Sequence, residues 1–168
     1  AHEYTHALQD VQFDLLGLSA RASTFDATKA VAALREGDAS LTEYLFYETL
    51  PFDRQVLLAA ALEKVIEEFS TSPEVARAPR IITETFGWEH SVGPGFVFRL
   101  YLEGGFGAID EAYRDPPRST EHILHPEKYL SGEAPHDVLM PDLTAALGSG
   151  WRELDAGVLG ELLTKIYL

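Results

Sequence analysis

The amino terminus of the chain, residues 1–10, reads AHEYTHALQD and contains the pattern His-Glu-x-x-His. In an α-helix, residues four apart lie on the same face, one turn above the other. His2 and His6 can therefore direct two imidazole nitrogens at one metal ion, and Glu3 flanks that ion. A carboxylate in this position suits a base that takes a proton from metal-bound water. The stretch thus predicts a helix that carries half of a metal site.

The local context favours this interpretation over a surface helix that carries two histidines and a glutamate by accident. Three fixed residues match by chance in roughly 2% of chains of this length. No proline or glycine interrupts the sequence through Gln9, and Thr5 and Ala7 are small enough for other elements to close over the site. The rest of the chain should then supply a third ligand.

The wider pattern His-Glu-x-Thr-His-Ala-x-x-Asp in residues 2–10 resembles the active-site helix of the thermolysin-like zinc metallopeptidases of the gluzincin clan. The resemblance implies a bacterial branch of that clan, with a mainly α, zincin-like catalytic helical domain over residues 1–168. In gluzincins an edge strand before this helix binds the substrate backbone. We therefore expect the chain to be the C-terminal piece of a longer protein whose upstream segment completes the site.

The resemblance also implies a third zinc ligand, because gluzincins take it from a glutamate on a following helix. Residues 34–39 read LREGDA, and Glu-Gly-x-Ala is similar to the third-ligand helix of several gluzincin families. Glu36 is accordingly expected to bind Zn²⁺ together with His2 and His6. Gly37 costs a helix interior about 0.5–1 kcal/mol relative to Ala, so its presence predicts close approach of another backbone or of the first helix.

Two features of this segment leave alternatives open. Asp38 is a rival ligand, or it could accept the free ring N–H of His2 or His6. Ser40 stands where the thermolysin-like pattern has an aspartate, and the spacing from His6 to Glu36 is longer than in that family. The chain is thus expected to be a relative of the thermolysin-like enzymes and not a member.

Metallopeptidases also need a second electrophile, usually His or Tyr, that donates a hydrogen bond to the substrate oxyanion. The polar segment 115–130 offers His125 for this role, with Tyr129 and His122 as alternatives. His90 is expected to be structural or exposed, with a place in the lining of the cleft as the alternative.

Composition limits the classes of function. The chain has 168 residues, 46% hydrophobic and 24% charged, which suits one globular domain. A net charge of -14 argues against nucleic-acid and anionic-lipid partners. The absence of cysteine excludes disulfides and thiolate zinc ligands and leaves the compartment open. No apolar run approaches the length of a membrane span.

Hydrophobic periodicity predicts a mostly helical chain. A first helix from His2 should continue to about Leu18, and a glycine-rich turn at 104–107 should precede a short helix. The other predicted helices run from an N-cap at Asp26, or at Thr24, to about Leu50, from Phe52 to Phe69 with an apolar face, and from Ala156 or Val158 to Tyr167.

Together these features predict a zinc-dependent peptidase that acts on a peptide or protein substrate. His2, His6 and Glu36 would hold Zn²⁺, Glu3 would activate water, and His125 would stabilise the oxyanion. Two alternatives remain at this point. The chain could be a non-catalytic zincin-like binding or scaffold domain, or an inactive proenzyme fragment.

Overall fold

The fold is mainly α, as the sequence predicts. A computed structural model describes residues 1–136, 138–141, 143–148, 150–154 and 156–168, and within these ranges the chain forms helices and no strand. The helices are α1 (His2–Phe13), α2 (Leu15–Arg21), α3 (Phe25–Glu48), α4 (Phe52–Ser70), α5 (Pro73–Arg77), α6 (Arg80–Thr85), α7 (Trp88–Arg114), α8 (Thr120–Leu124), α9 (Pro126–Leu130), α10 (Thr144–Leu147) and α11 (Gly160–Tyr167). Among the described residues, no helix combines the length and apolar character needed to cross a bilayer.

Helix α3 is the centre of the molecule, with α1, α7 and α8 packed around it. Its N-cap is Thr24, whose side-chain oxygen accepts a hydrogen bond from the Ala27 N–H, so the prediction of an Asp26 cap is wrong and its alternative is confirmed. The middle of α3 is buried on nearly all sides, at Ala30, Val31, Ala33, Leu34, Glu36, Gly37, Asp38, Ala39 and Leu41. Polar side chains on such a buried helix need hydrogen-bonding partners within the protein.

The packing of α3 against α7 requires glycine on both helices. A Cβ on Gly37 would lie 2.3 Å from the Gly93 carbonyl oxygen, and a Cβ on Gly93 would lie 2.2 Å from the Ala33 carbonyl oxygen. Only glycine, which has no Cβ, lets the two backbones make contact at these positions. This confirms the expectation that Gly37 marks a close backbone approach, and it identifies α7 as the approaching element.

Helix α1 is shorter than predicted. It ends at Phe13, because Asp14 adopts a left-handed conformation (φ 51°, ψ 74°) and starts α2 by accepting a hydrogen bond from the Gly17 N–H. Aspartate is among the few non-glycine residues that tolerate this region. The predicted continuation to Leu18 is therefore wrong, although Leu18 is buried in the core.

Helix α7 contains the predicted break. Gly104 (φ -157°, ψ 22°) and Gly105 (φ 63°, ψ -153°) leave helical geometry, and the helix resumes and ends at Arg114.

Helix α4 forms over nearly the predicted range, but none of its residues, all of which the structure describes, is buried. The apolar face predicted for this helix is therefore exposed. The C-terminal helix α11 starts at Gly160 and buries Leu162 and Ile166.

Candidate metal centre

The structure brings His2, His6 and Glu36 together at the contact between α1 and α3. The Nε2 atoms of His2 and His6 are 3.2 Å apart, and each lies close to the Oε2 atom of Glu36, at 3.2 and 3.1 Å respectively. The three donor atoms form a nearly equilateral triangle. His2 and His6 are partly exposed, whereas Glu36 is buried.

This triangle has the size of one face of a tetrahedral zinc site. Zinc binds imidazole nitrogen and carboxylate oxygen at about 2.0–2.2 Å, which puts neighbouring ligand atoms of a tetrahedron about 3.3 Å apart. The three edges of 3.1–3.2 Å match that separation. Two imidazoles and one carboxylate are also the ligand types of catalytic zinc sites with an open fourth position. The donor set therefore fits Zn²⁺.

Glu36 is held so that one carboxylate oxygen faces the histidines. Arg35 donates to Oε1 from Nε and from its terminal NH2 group, at 3.1 and 2.6 Å, which leaves Oε2 to the imidazoles. Burial opposes ionisation of Glu36, but the hydrogen bonds and charge of Arg35 and the contacts with His6 and His2 outweigh it, and the pKa of Glu36 lies below its usual value. Glu36 therefore offers one carboxylate oxygen, Oε2, to the two imidazoles.

The other ring nitrogen of each histidine has a different partner. His6 Nδ1 lies 2.8 Å from Oε1 of the buried Gln9, while His2 Nδ1 lies 3.6 Å from Oε2 of the exposed Glu43. Asp38 is not a ligand in this geometry. Its Oδ2 accepts hydrogen bonds from Gln9 and from the Tyr113 hydroxyl, so its link to His6 runs through the Gln9 amide.

A third imidazole reaches the cluster from α7. His90 Nε2 lies 3.2 Å from Glu36 Oε2, and the His90 ring is nearly parallel to the His2 ring at a centroid distance of 6.2 Å. Its side chain is 55% exposed, so it lies at the mouth of the site. His90 does not belong to the group whose ligand atoms all lie within 4.8 Å of one another. His90 is thus exposed, as expected, and its contact with Glu36 also places it in the lining of the site.

The structure does not bring His125 to the cluster. Its Nε2 lies 3.1 Å from Glu161 on α11, and its Nδ1 lies 3.6 Å from Glu127. The helix just before it, α8, is tied to α3 through Thr120 and Asp26. Asp26 precedes Glu36 by ten residues, which is about 15 Å along a helix. The polar character of segment 115–130 therefore did not indicate which histidine faces the cluster of His2, His6 and Glu36.

The alternatives to His125 also have partners elsewhere. His122 is buried, with Nε2 2.8 Å from the Glu133 carbonyl oxygen, and Tyr129 donates its hydroxyl to the Asp115 carbonyl oxygen at 2.8 Å. These contacts hold the loop after α7. Burial and the nearby carboxylates of Asp115 and Glu111 raise the pKa of Tyr129 to about 12, so its hydroxyl stays a donor.

Glu3 is exposed on α1, next to His2, where a base would meet solvent and substrate. Asp10, one turn after His6, has a helix-end role. Its Oδ1 accepts a hydrogen bond from the Leu15 N–H at 3.1 Å, across the junction of α1 and α2. It thus stabilises the turn after the metal-site helix.

No profile of a known protein family matches this chain, and no curated protein and no solved structure matches it either. The interpretation of the site therefore depends on its own geometry and on the sequence pattern.

Proposed function

We propose that this chain is a zinc-dependent metallopeptidase domain related to the gluzincins. The observation that carries the proposal is the triangle of His2 Nε2, His6 Nε2 and Glu36 Oε2, with edges of 3.1–3.2 Å that match a tetrahedral zinc site. The pattern His-Glu-x-x-His supports a hydrolytic use of that site, because it sets Glu3 beside the ligands.

Each residue has a distinct part in the proposed reaction. His2, His6 and Glu36 would hold Zn²⁺, which when bound supplies a Lewis acid and lowers the pKa of its water towards about 7. Glu3 would accept a proton on its carboxylate and later deliver it to the leaving amine. We assign the role expected of His125 to His90, which lies at the mouth of the site. A ring N–H of His90 would donate a hydrogen bond to the substrate oxygen.

A structural metal site is the second candidate, and the contact between His90 and Glu36 is the observation that favours it. A fourth protein ligand would close the coordination shell and leave no position for water. The position of His90 outside the compact three-residue group favours the catalytic proposal, since all four ligands of a closed tetrahedral shell lie about 3.3 Å apart.

The first test is the zinc content of the purified protein and of three His→Ala or Glu→Ala variants. We expect about one zinc per chain in the wild type and in His125→Ala, and loss of zinc in His6→Ala and Glu36→Ala. His125→Ala is the matched control, because it removes an imidazole that contacts Glu161 instead of the cluster. Stoichiometric zinc retained in both His6→Ala and Glu36→Ala would overturn the ligand assignment.

The second test separates metal binding from catalysis. Glu3→Gln should keep zinc and lose about 10²–10⁴-fold in the rate of hydrolysis of a peptide library, because only the proton acceptor is removed. Hydrolysis at the wild-type rate by the zinc-loaded variant would refute the role of Glu3. A wild type that binds zinc but cleaves no peptide would favour the structural metal site.

A further inference from the structure

The side chain of Gln9 is buried between the metal-site helix and α3, at 3% exposure. Its Nε2 donates to the Arg35 carbonyl oxygen at 3.1 Å and to Asp38 Oδ2 at 2.7 Å. Its Oε1 lies 2.8 Å from His6 Nδ1. The Gln9 amide thus has three partners, and one of them, His6, is an expected zinc ligand.

The hydrogen-bond partners of the Gln9 side chain determine the orientation of its amide group. Both partners of Nε2, a backbone carbonyl and a carboxylate, are acceptors. A flipped amide would set its oxygen against these two acceptors and leave both buried hydrogen bonds unmade. Oε1 must therefore face His6, and an oxygen can only accept a hydrogen bond there.

His6 Nδ1 must then carry the proton. The other ring nitrogen, Nε2, is the atom that lies in the triangle with His2 and Glu36. We propose that Gln9 is a positioning residue that keeps a proton on His6 Nδ1 and holds the ring with Nε2 directed into the metal site. This inference rests on the proposed metal site and adds a residue that sets its ligand before any metal arrives.

The hydrogen bonds that hold Gln9 in place extend to a third helix, α7. Asp38 Oδ2, which accepts from Gln9, also accepts from the hydroxyl of Tyr113 on α7 at 3.1 Å. Tyr113 is itself buried. The orientation of one imidazole on α1 is therefore linked by hydrogen bonds to residues of α3 and α7.

His2 provides an internal comparison. Its Nδ1 lies 3.6 Å from Glu43, whose side chain is 56% exposed, so the contact is too long for a hydrogen bond. No buried amide fixes that ring among the described residues. We therefore expect the His6 ring to keep its proton on Nδ1 in the metal-free protein. The proton of the His2 ring should be shared between its two nitrogens.

The test is the ¹⁵N spectrum of the imidazole rings in the zinc-free protein. Wild-type His6 should show a proton on Nδ1. Gln9→Met, similar in length but without donor or acceptor, should shift His6 towards a mixture that includes the Nε2–H form. His6 in Gln9→Met with its proton still wholly on Nδ1 would overturn the proposal.

Tyr113→Phe is the matched control. It removes the other hydrogen bond to Asp38 and leaves the contact between Gln9 and His6, so the protein should lose stability while His6 keeps the proton on Nδ1. If Tyr113→Phe changed the tautomer as much as Gln9→Met, a general loosening would explain both, and the specific role of Gln9 would be wrong.

Zinc affinity gives an independent readout. Loss of such an outer hydrogen bond to a ligating histidine typically costs 10–100-fold in affinity, so Gln9→Met should weaken zinc binding by that factor at unchanged stoichiometry. Wild-type affinity in Gln9→Met would contradict the proposal. If the wild type binds no zinc, the metal site fails while the tautomer measurement still decides the role of Gln9.

Discussion

Gly93 and Gly37 touch backbone to backbone, and this contact determines which residues of α7 reach the candidate metal centre. The Gly93 carbonyl oxygen would lie 2.3 Å from a Cβ on Gly37. Glu36 precedes Gly37, and His90 precedes Gly93 by three residues, about one helical turn, so the two side chains meet on the same side of the contact. A larger residue at either glycine would separate them.

The first prediction is therefore that Gly93→Ala destabilises the fold. The added methyl group would lie 2.2 Å from the Ala33 carbonyl oxygen, and backbone on both sides prevents simple relief. Overpacking of this kind costs about 1–3 kcal/mol. Urea unfolding followed by circular dichroism measures the change.

Gly95→Ala is the control for this measurement. Gly95 lies in the same helix and is exposed, and a methyl group added there would have no described atom within 4 Å. Replacement by Ala should stabilise the helix by about 0.5–1 kcal/mol. Equal destabilisation by both substitutions would show that the contact between α3 and α7 is not tight.

The second prediction concerns the two histidines that compete for the oxyanion role. His90→Ala should retain zinc and lose about 10²–10³-fold in peptide hydrolysis, because it removes one donor to the developing oxyanion. His125→Ala should leave hydrolysis within a few-fold of the wild type. Zinc content and kcat are measured on the same preparations. Loss of zinc in His90→Ala would instead identify His90 as a fourth ligand.

Local sequence was enough to predict helix α1 and the common face of His2 and His6, because a four-residue spacing on a helix is a local property. Glu36 was found through a short motif, and Gly37 through the cost of glycine in a helix. His90 could not be found in this way. Its approach to Glu36 depends on the contact between Gly37 and Gly93, which brings together residues more than fifty positions apart.

Gln9 was missed for a different reason. Its position three residues after His6 places it on the same helix face, and that signal was available. Its importance depends on burial against Arg35 and Asp38, which no sequence pattern specifies. Likewise, apolar periodicity predicted helix α4 well but not its packing, since an amphipathic pattern does not say what covers the face.

The third prediction follows from the exposure of α4. Leu62 is 61% exposed in that helix, whereas Leu34 of α3 is fully buried in the core. Leu34→Ala should cost about 2–5 kcal/mol of unfolding free energy, as core truncations do. Leu62→Ala should change it by no more than about 0.5 kcal/mol. A large loss at Leu62 would mean that α4 packs in solution against a surface that these contacts do not include.

The fourth prediction concerns the buried carboxylate of Asp26 at the start of α3. It accepts hydrogen bonds from the N–H and the hydroxyl of Thr120, and the same hydroxyl accepts from the Leu162 N–H. Asp26 thus joins α3 to α8 and, through Thr120, to α11. Burial raises the pKa of Asp26 above its usual value despite the hydrogen bonds from Thr120, and the nearby charges of Glu121 and Glu161 raise it further.

A raised pKa in the folded state means that the folded protein binds a proton more tightly than the unfolded chain. Between the ordinary pKa of 3.8 and the raised value, the folded state carries more protons, so the contribution of Asp26 to the free energy of unfolding falls as pH rises. Asp26→Asn has no such titration. The stability of the wild type minus that of Asp26→Asn should therefore be greatest at about pH 4, decrease as pH rises through this window, and then stay constant towards pH 8. Urea unfolding of both proteins at each pH gives the difference. An increase of that difference with pH would mean that the hydrogen bonds from Thr120 dominate over burial, and that Asp26 is held as a stabilised anion.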